Sequence, residues 1–291
     1  MPIAAIAFDF DPFLRFGDGA IRLETLGIAI AVLVAIVVAA RIALRTLAGP
    51  DPDEGHLRID DLVFIALGVV PGAVVGARLG YVLVHLDFYG ANSAAILDPG
   101  QGGLELTLAA VGGTLTGALG ARLLGEPVRR WLHVAALPLL VGIALGKLAL
   151  ALGGEGQGAP SATTWATSYR GAGPWGSLAP AIASHPAQLY EAAATVVVLV
   201  LLMAAVAGGV FRDRDGRAFT TALAAWALAR GLVATIWRDP PVLGPLNAEQ
   251  LLSGAVIAGC GVVAVVLARR PARSAAERDP EWREAGVEQP F

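Results

Sequence analysis

ETLGIAIAVLVAIVVAARIAL at 24–44 runs almost unbroken through aliphatic residues. At about 1.5 Å of rise per helical residue it is long enough to cross a hydrocarbon core of about 30 Å. Hydrocarbon offers the backbone no water, so such a run must satisfy its own N–H and C=O groups, and a helix does so. EAAATVVVLVLLMAAVAGGVF at 191–211 repeats the signal. Working outward from these two, spans fall near 20–42, 62–86, 104–124, 132–153, 187–210, 218–237 and 248–268. The sequence therefore predicts an all-α, polytopic membrane protein with about seven transmembrane helices over residues 1–268. LELTLAAVGGTLTGALGARLL at 104–124 is the least hydrophobic span, and its glycine pair reads as a place where helices pack closely.

Composition points the same way. The chain has 291 residues, 56% of them hydrophobic and only 15% charged, with a mean hydropathy of +0.65; soluble domains carry far more charge. A single cysteine, Cys260, lies in an apolar run, so it suits packing and can form no internal disulfide. The net charge of -3 says little about partners, but the arginines are unevenly placed. Arg41, Arg45 and Arg58 flank the first connection, Arg122, Arg129 and Arg130 the third, and Arg212, Arg214 and Arg217 the fifth. Arg269, Arg270, Arg273, Arg278 and Arg283 follow the last span. Cytoplasmic loops retain Arg and Lys, so the expected topology has the N-terminus outside, the 154–186 loop outside, and a polar cytoplasmic tail over 269–291. That topology accounts for the arginine clusters, and no nucleic-acid binding is expected. The N-terminus carries acids before its first apolar span, unlike a cleavable signal peptide.

Three cations break the apolar pattern. Lys147, the only lysine, sits in VGIALGKLALALGG at 141–154; Arg78 and Arg230 lie inside other spans. Each costs about 2.5–3.5 kcal/mol near the middle of a spanning helix, so such residues commonly mark a substrate path or a paired site. Counted from the cytoplasmic ends, all three lie roughly 18–24 Å up, toward the outer face. Cations from separate helices at one level suit a lipid phosphate in the outer leaflet. The competing readings are snorkelling to the headgroups, or pairing with an internal acid such as Glu105 or Glu191. In the 154–186 loop, Trp165, Tyr169 and Trp175 suit the headgroup layer, and the loop either covers a substrate or is a plain solvated connection.

SHPAQLYEAAATVVV follows that loop. Pro186 can open a helix, with His185, Gln188 and Glu191 at three-residue intervals on one broad face. His185 is the histidine expected beside the cations, where it could exchange a proton, whereas His85 merely ends the second span. The alternative for this segment is a helix cap with Tyr190 at the interface.

HPAQLYE at 185–191 resembles the HPxQLYE motif of the phosphatidylglycerol:prolipoprotein diacylglyceryl transferases of the bacterial inner membrane. GARLGYVL at 76–83, GQGG at 100–103, GKLALALGGEGQG at 146–158 and FDP at 10–12 are similar to further segments of that family. The resemblance implies transfer of a diacylglyceryl group from phosphatidylglycerol to the lipobox cysteine thiol of a preprolipoprotein, in the bilayer and with signal peptides as partners. It implies no metal or organic cofactor, and no His, Cys and carboxylate set has metal-ligand spacing. Carried onto this chain, it suggests that Arg78, Lys147, Arg230 and Arg238 hold the phosphate. His185 and Glu191 then handle the thiol proton, and Tyr81, Glu155, Gln188 and Tyr190 complete the substrate site.

The chain also departs from the family pattern. Lys147 replaces an arginine, losing the planar fork that suits phosphate. Leu150 replaces an asparagine, Leu26 a tyrosine, Thr107 or Val111 a histidine, and Ala234 or Thr235 a glutamate. The alternative to transfer is therefore a non-enzymatic member that binds anionic lipid or lipoprotein precursors as a membrane subunit. A transporter is disfavoured, because the charges gather toward one face.

Overall fold

A computed structural model describes residues 6–45, 59–98, 103–212 and 214–268. The chain opens with β1 (Ile6–Phe8), then a hairpin of β2 (Phe13–Phe16) and β3 (Gly19–Arg22) that leads into α1 (Leu23–Arg45). α2 (Ile59–Val84) is followed by the short α3 (Leu86–Ala91), a 3₁₀ turn over Ser93–Leu97, and α4 (Leu106–Leu123). α5 (Val128–Gly153) precedes β4 (Thr167–Tyr169) and α6 (Ala187–Ala207). α7 (Arg217–Val233), a ribbon of β5 (Pro241–Leu243) and β6 (Leu246–Asn247), and α8 (Ala248–Ala268) complete the order.

Among the described residues seven helices are long and apolar enough to cross a membrane, in the positions expected from sequence. Leu33, Leu67, Leu115, Leu201 and Val262 stay exposed on them, as lipid-facing side chains do. The interior is held by Ala136 and Leu140 of α5, Phe219 and Trp226 of α7, Leu202 of α6 and Cys260 of α8. Cys260 is thus a packing residue. The expected 269–291 tail, Arg58 and most of GQGG lie outside the described residues.

The glycines of α2 and α4 let these two helices approach backbone to backbone. A Cβ on Gly112 would collide with the carbonyl of Gly72 and sit 3.2 Å from Gly76 Cα. Without a hydrophobic drive in lipid, such close van der Waals contact is what holds helices together. Gly112→Val is therefore expected to cost about 1–3 kcal/mol of stability, as overpacking does. Thermal unfolding in detergent micelles would show it, with Gly259→Ala as the control, since a Cβ at Gly259 meets nothing within 4 Å.

If successive spans alternate in direction, the starts of α1, α4, α6 and α8 and the ends of α2, α5 and α7 share one side. All three small ribbons fall there. β1 pairs in parallel with β4, β2 with β3 and β5 with β6 in antiparallel fashion. The 154–186 loop is accordingly a packed cap, with Thr167, Ser168 and Tyr169 all buried. Tyr169 and Trp175 were expected at the headgroup layer. Tyr169 instead stacks on Phe8, with ring centroids 5.2 Å apart, and lies 4.9 Å from Trp175. Trp165 remains exposed and donates its indole N–H to Tyr190 Oη at 2.6 Å.

Candidate functional site

Five charged side chains from five helices or helix ends meet beneath this cap. Lys147 of α5 reaches Glu191 of α6, Nζ to Oε2, at 2.9 Å. Arg230 of α7 holds the other oxygen of Glu191 through Nη1 at 2.7 Å. It donates through Nη2 to Glu105 at 3.2 Å and through Nε to Glu249 of α8 at 2.6 Å. Thr107 Oγ1 accepts from Arg230 Nε at 2.9 Å and donates to Glu249. Glu191 is only 1% exposed and Arg230 3%. At such depth a lone charge is costly and a saturated network is required.

Local sequence explains how each group arrives. Glu105 is the N-cap of α4 and accepts from the backbone N–H groups of Thr107 and Leu108, using the carboxylate to satisfy the helix start. A Cβ on Gly80 of α2 would collide with the Glu105 carboxylate, so the glycine makes room for it. α5 ends on Gly154 in the left-handed region, φ +78°, whose N–H caps Leu150 O. Pro186 precedes the first turn of α6 and so sets where Gln188 and Glu191 enter the bundle. The Trp237 ring lies 4.8 Å from the Arg230 guanidinium carbon and 5.9 Å from Lys147 Nζ, a cation–π wall for both.

A cavity of about 350 Å³ opens beside this network. Of the residues expected from sequence, Tyr81, Lys147, Gln188, Glu191, Arg230 and Arg238 line it. Arg238 is anchored at its rim by the carbonyl of Gly158 and the hydroxyl of Ser184, each at 2.7 Å.

Four expected residues lie elsewhere. Arg78 does not join the other two cations at the cavity. Its guanidinium donates to the carbonyls of Ala95, Ile96 and Asp98 at 2.7–3.0 Å, stacks on Tyr89, and does not line the cavity. The convergence of three cations is thus corrected to two, because the carbonyls of Ala95, Ile96 and Asp98 hold the Arg78 guanidinium instead. Glu155 sits against Gly176, with Oε1 3.8 Å from Arg22 Nη2. His185 lies one residue before Pro186, ahead of α6, and so does not continue the face of Gln188 and Glu191. Its Nδ1 is 3.4 Å from Tyr190 Oη, and neither residue lines the cavity.

The histidine that does line it is His85. His85 stacks on Tyr81 at 4.1 Å between ring centroids, with Nδ1 2.9 Å from the carbonyl of Tyr81. A carbonyl can only accept, so Nδ1 carries the proton and Nε2 of the neutral ring keeps its lone pair. Glu249 and Trp237 also escaped the sequence analysis, and Thr107 entered it only as one candidate for the position of the family's histidine. Glu249 carried a usable signal, an acid at the mouth of an apolar run, the mirror image of Lys147.

β4 fixes two amides at the same cavity. Tyr169 Oη donates to the carbonyl of Ala151 at 2.9 Å and accepts from Gln188 Nε2 at 3.1 Å. Burial pushes the Tyr169 phenol up to about 12, with the Gln188 hydrogen bond opposing it, so the phenol stays protonated at neutral pH. Gln157 Nε2 donates to the carbonyl of Thr167 at 2.9 Å.

The sequence is similar to that of known proteins over most of its length. A sequence model of the family described as prolipoprotein diacylglyceryl transferase matches residues 12–267. A phosphatidylglycerol–prolipoprotein diacylglyceryl transferase of Nitrobacter hamburgensis is 31% identical, over 77% of this chain and 76% of its own. The proteins of the same name in Trichormus variabilis and Geobacter sulfurreducens are 28% and 31% identical, covering 93% and 72% of this chain and 95% and 80% of theirs. With the matched span and the sequence identity in agreement, this chain belongs to the prolipoprotein diacylglyceryl transferase family.

Proposed function

We propose that the protein transfers the diacylglyceryl group of phosphatidylglycerol to the lipobox cysteine of a preprolipoprotein, in the bacterial cytoplasmic membrane with its N-terminus outside. The observation that carries this reading is the meeting of Lys147 and Arg230 on Glu191 beside a cavity of about 350 Å³, within the bilayer-spanning bundle. An anionic phosphate needs fixed cations there. Lys147 makes one ion pair and has three N–H donors, so it can also receive a phosphate oxygen. Arg238 at the rim adds a third positive charge.

In the reaction the cysteine sulfur attacks the glyceryl carbon that bears the phosphate. A C–S bond forms, the C–O bond breaks, and glycerol phosphate leaves with the electron pair. Charge grows on the phosphate as it departs, and preorganised cations stabilise that growth without further reorganisation. The thiol must first lose its proton, because the thiolate is the nucleophile. His85 Nε2 is the acceptor at hand. Glu191 uses both oxygens on the cations and serves as a positioning residue.

Purified protein incubated with phosphatidylglycerol and a lipobox peptide should yield a thioether-linked diacylglyceryl peptide by mass spectrometry, and a Cys→Ser peptide should not. His85→Asn should slow the reaction by about 10²-fold, the usual worth of a general base. Lipid retained without any thioether would instead favour the non-enzymatic lipid-binding alternative.

A further inference from the structure

The larger cavity has a smaller neighbour of about 210 Å³, formed by the α7–α8 connection and the first turn of α8. Trp237 and Asp239 line both, so the two chambers adjoin. Their charges differ. The larger holds Lys147, Arg230 and Arg238 with Glu105, Glu191, Asp239 and Glu249, whereas among the described residues Asp239 is the one charged side chain of the smaller. Glu105, Glu191 and Glu249 are all tied to Arg230. The Asp239 carboxylate makes no ion pair or hydrogen bond among the described residues. Arg238, beside it in sequence, is engaged by the Gly158 carbonyl and the Ser184 hydroxyl.

Gln250 supplies the opposite polarity. The backbone N–H of Asn247 donates to its Oε1 at 3.0 Å, which orients the amide and leaves Nε2 as its free end. That nitrogen has no partner among the described residues and stays accessible, since Gln250 is only half-buried. The other polar side chains of the lining are engaged. Asn247 donates through Nδ2 to the Ala234 carbonyl at 2.7 Å and accepts at Oδ1 from Gln250 N–H at 2.9 Å, and the Thr235 hydroxyl donates to Leu232 O at 2.7 Å. Pro241 and Pro245 bring no N–H to the walls. The chamber thus offers one acceptor and one donor between apolar surfaces.

We infer that this second chamber seats the acceptor, holding the main chain of the preprolipoprotein beside its lipobox cysteine, with a peptide N–H on Asp239 and a peptide C=O on Gln250 Nε2. This deepens the transfer reading and rests on it for the identity of the acceptor. A fatty acyl chain would leave both polar groups unpaired. A phosphate would meet a carboxylate with no cation in the same lining. A peptide group carries N–H and C=O together and satisfies both. The cysteine side chain then passes Trp237 into the larger chamber, where the cations await the phosphate. Charge sorts the two substrates into adjoining seats, and holding reactants side by side makes their encounter effectively unimolecular.

The test is equilibrium binding of a fluorescent lipobox peptide, its cysteine replaced by serine, to the full-length protein in neutral detergent, read by anisotropy. Asp239→Ala should weaken it about 10-fold, as loss of a charged acceptor does, and Gln250→Glu, which keeps the Asn247 contact but removes the donor, about 5-fold. Of two peptides N-methylated at the amide on either side of the serine, one should bind the wild type about 10-fold more weakly yet lose nothing further on Asp239→Ala. Retention of phosphatidylglycerol, read by native mass spectrometry, should stay within about 2-fold in both variants. Should Gln250→Glu fail to fold, Asp239→Ala and the methylated peptides decide. No peptide binding by the wild type, undiminished binding in the variants, or equal methyl penalties with and without Asp239 overturns the inference. So does tighter phosphatidylglycerol retention by Asp239→Ala with peptide affinity unchanged, the result if Asp239 only tempers the field of the cations. Variant-sensitive peptide binding without thioether formation would sink only the transfer reading; thioether formation with variant-insensitive binding would sink only the inference.

Discussion

Arg230→Met should slow thioether formation sharply and also lower the melting temperature, more than any other single change in the site. Arg230 is the hub, in contact with Glu105, Glu191 and Glu249. Removing it leaves three buried carboxylates with Lys147 as the only remaining cation of the network. Breaking a buried pair by removing one partner costs about 3–5 kcal/mol, because the other charge stays behind. On the catalytic side, losing a preorganised donor to the departing phosphate should lower turnover by about 10²–10³-fold. The two effects separate in the double variant Arg230→Met/Glu249→Gln. Neutralising one orphaned carboxylate should restore part of the melting temperature and none of the activity. Recovery of activity there would show that Arg230 acts only as scaffold.

Lys147→Met should show the opposite balance. Glu191 keeps its Arg230 contact in this variant, so the expected stability loss is smaller, about 1–3 kcal/mol. Turnover should still fall by about 10²-fold, since Lys147 has donors to offer the phosphate. Lys147→Arg is the informative companion. It preserves charge in a larger, planar group, and in a wall shared with Trp237 and Glu191 the added bulk must displace a neighbour. Unchanged thioether turnover in Lys147→Met would remove Lys147 from the mechanism.

The helices were legible because crossing hydrocarbon demands long apolar runs, and nothing in a span such as 24–44 competes with that reading. The ribbons were not. Strands of two to four residues carry no usable alternation, and β1 and β4 are joined only by tertiary contact between distant segments. Within the site, rise per residue gives depth but not direction. Arg78, Lys147 and Arg230 therefore stood at one level in the sequence, while the carbonyls of Ala95, Ile96 and Asp98 decide that Arg78 faces away. His185 was favoured by its three-residue spacing to Gln188, a spacing that means little when the helix begins only at Ala187. His85 was set aside as the end of a span, and that end is where the cavity opens. Internal acids were foreseen as alternative partners of the cations through Glu105 and Glu191. Glu249 was legible by the same logic, but was absorbed into the start of the last span.

The parallel pairing of Ile6–Phe8 with Thr167–Tyr169 also imposes an order on biogenesis. The opening strand of the nascent chain has no partner until the spanning helices α1, α2, α4 and α5 and the loop after them have been made. β4 in turn holds Gln157 through the Thr167 carbonyl and Gln188 through the Tyr169 phenol, so the cavity acquires its final shape late in synthesis. A ribosome stalled shortly after the fourth helix would leave a bundle in the bilayer whose lid had not yet closed.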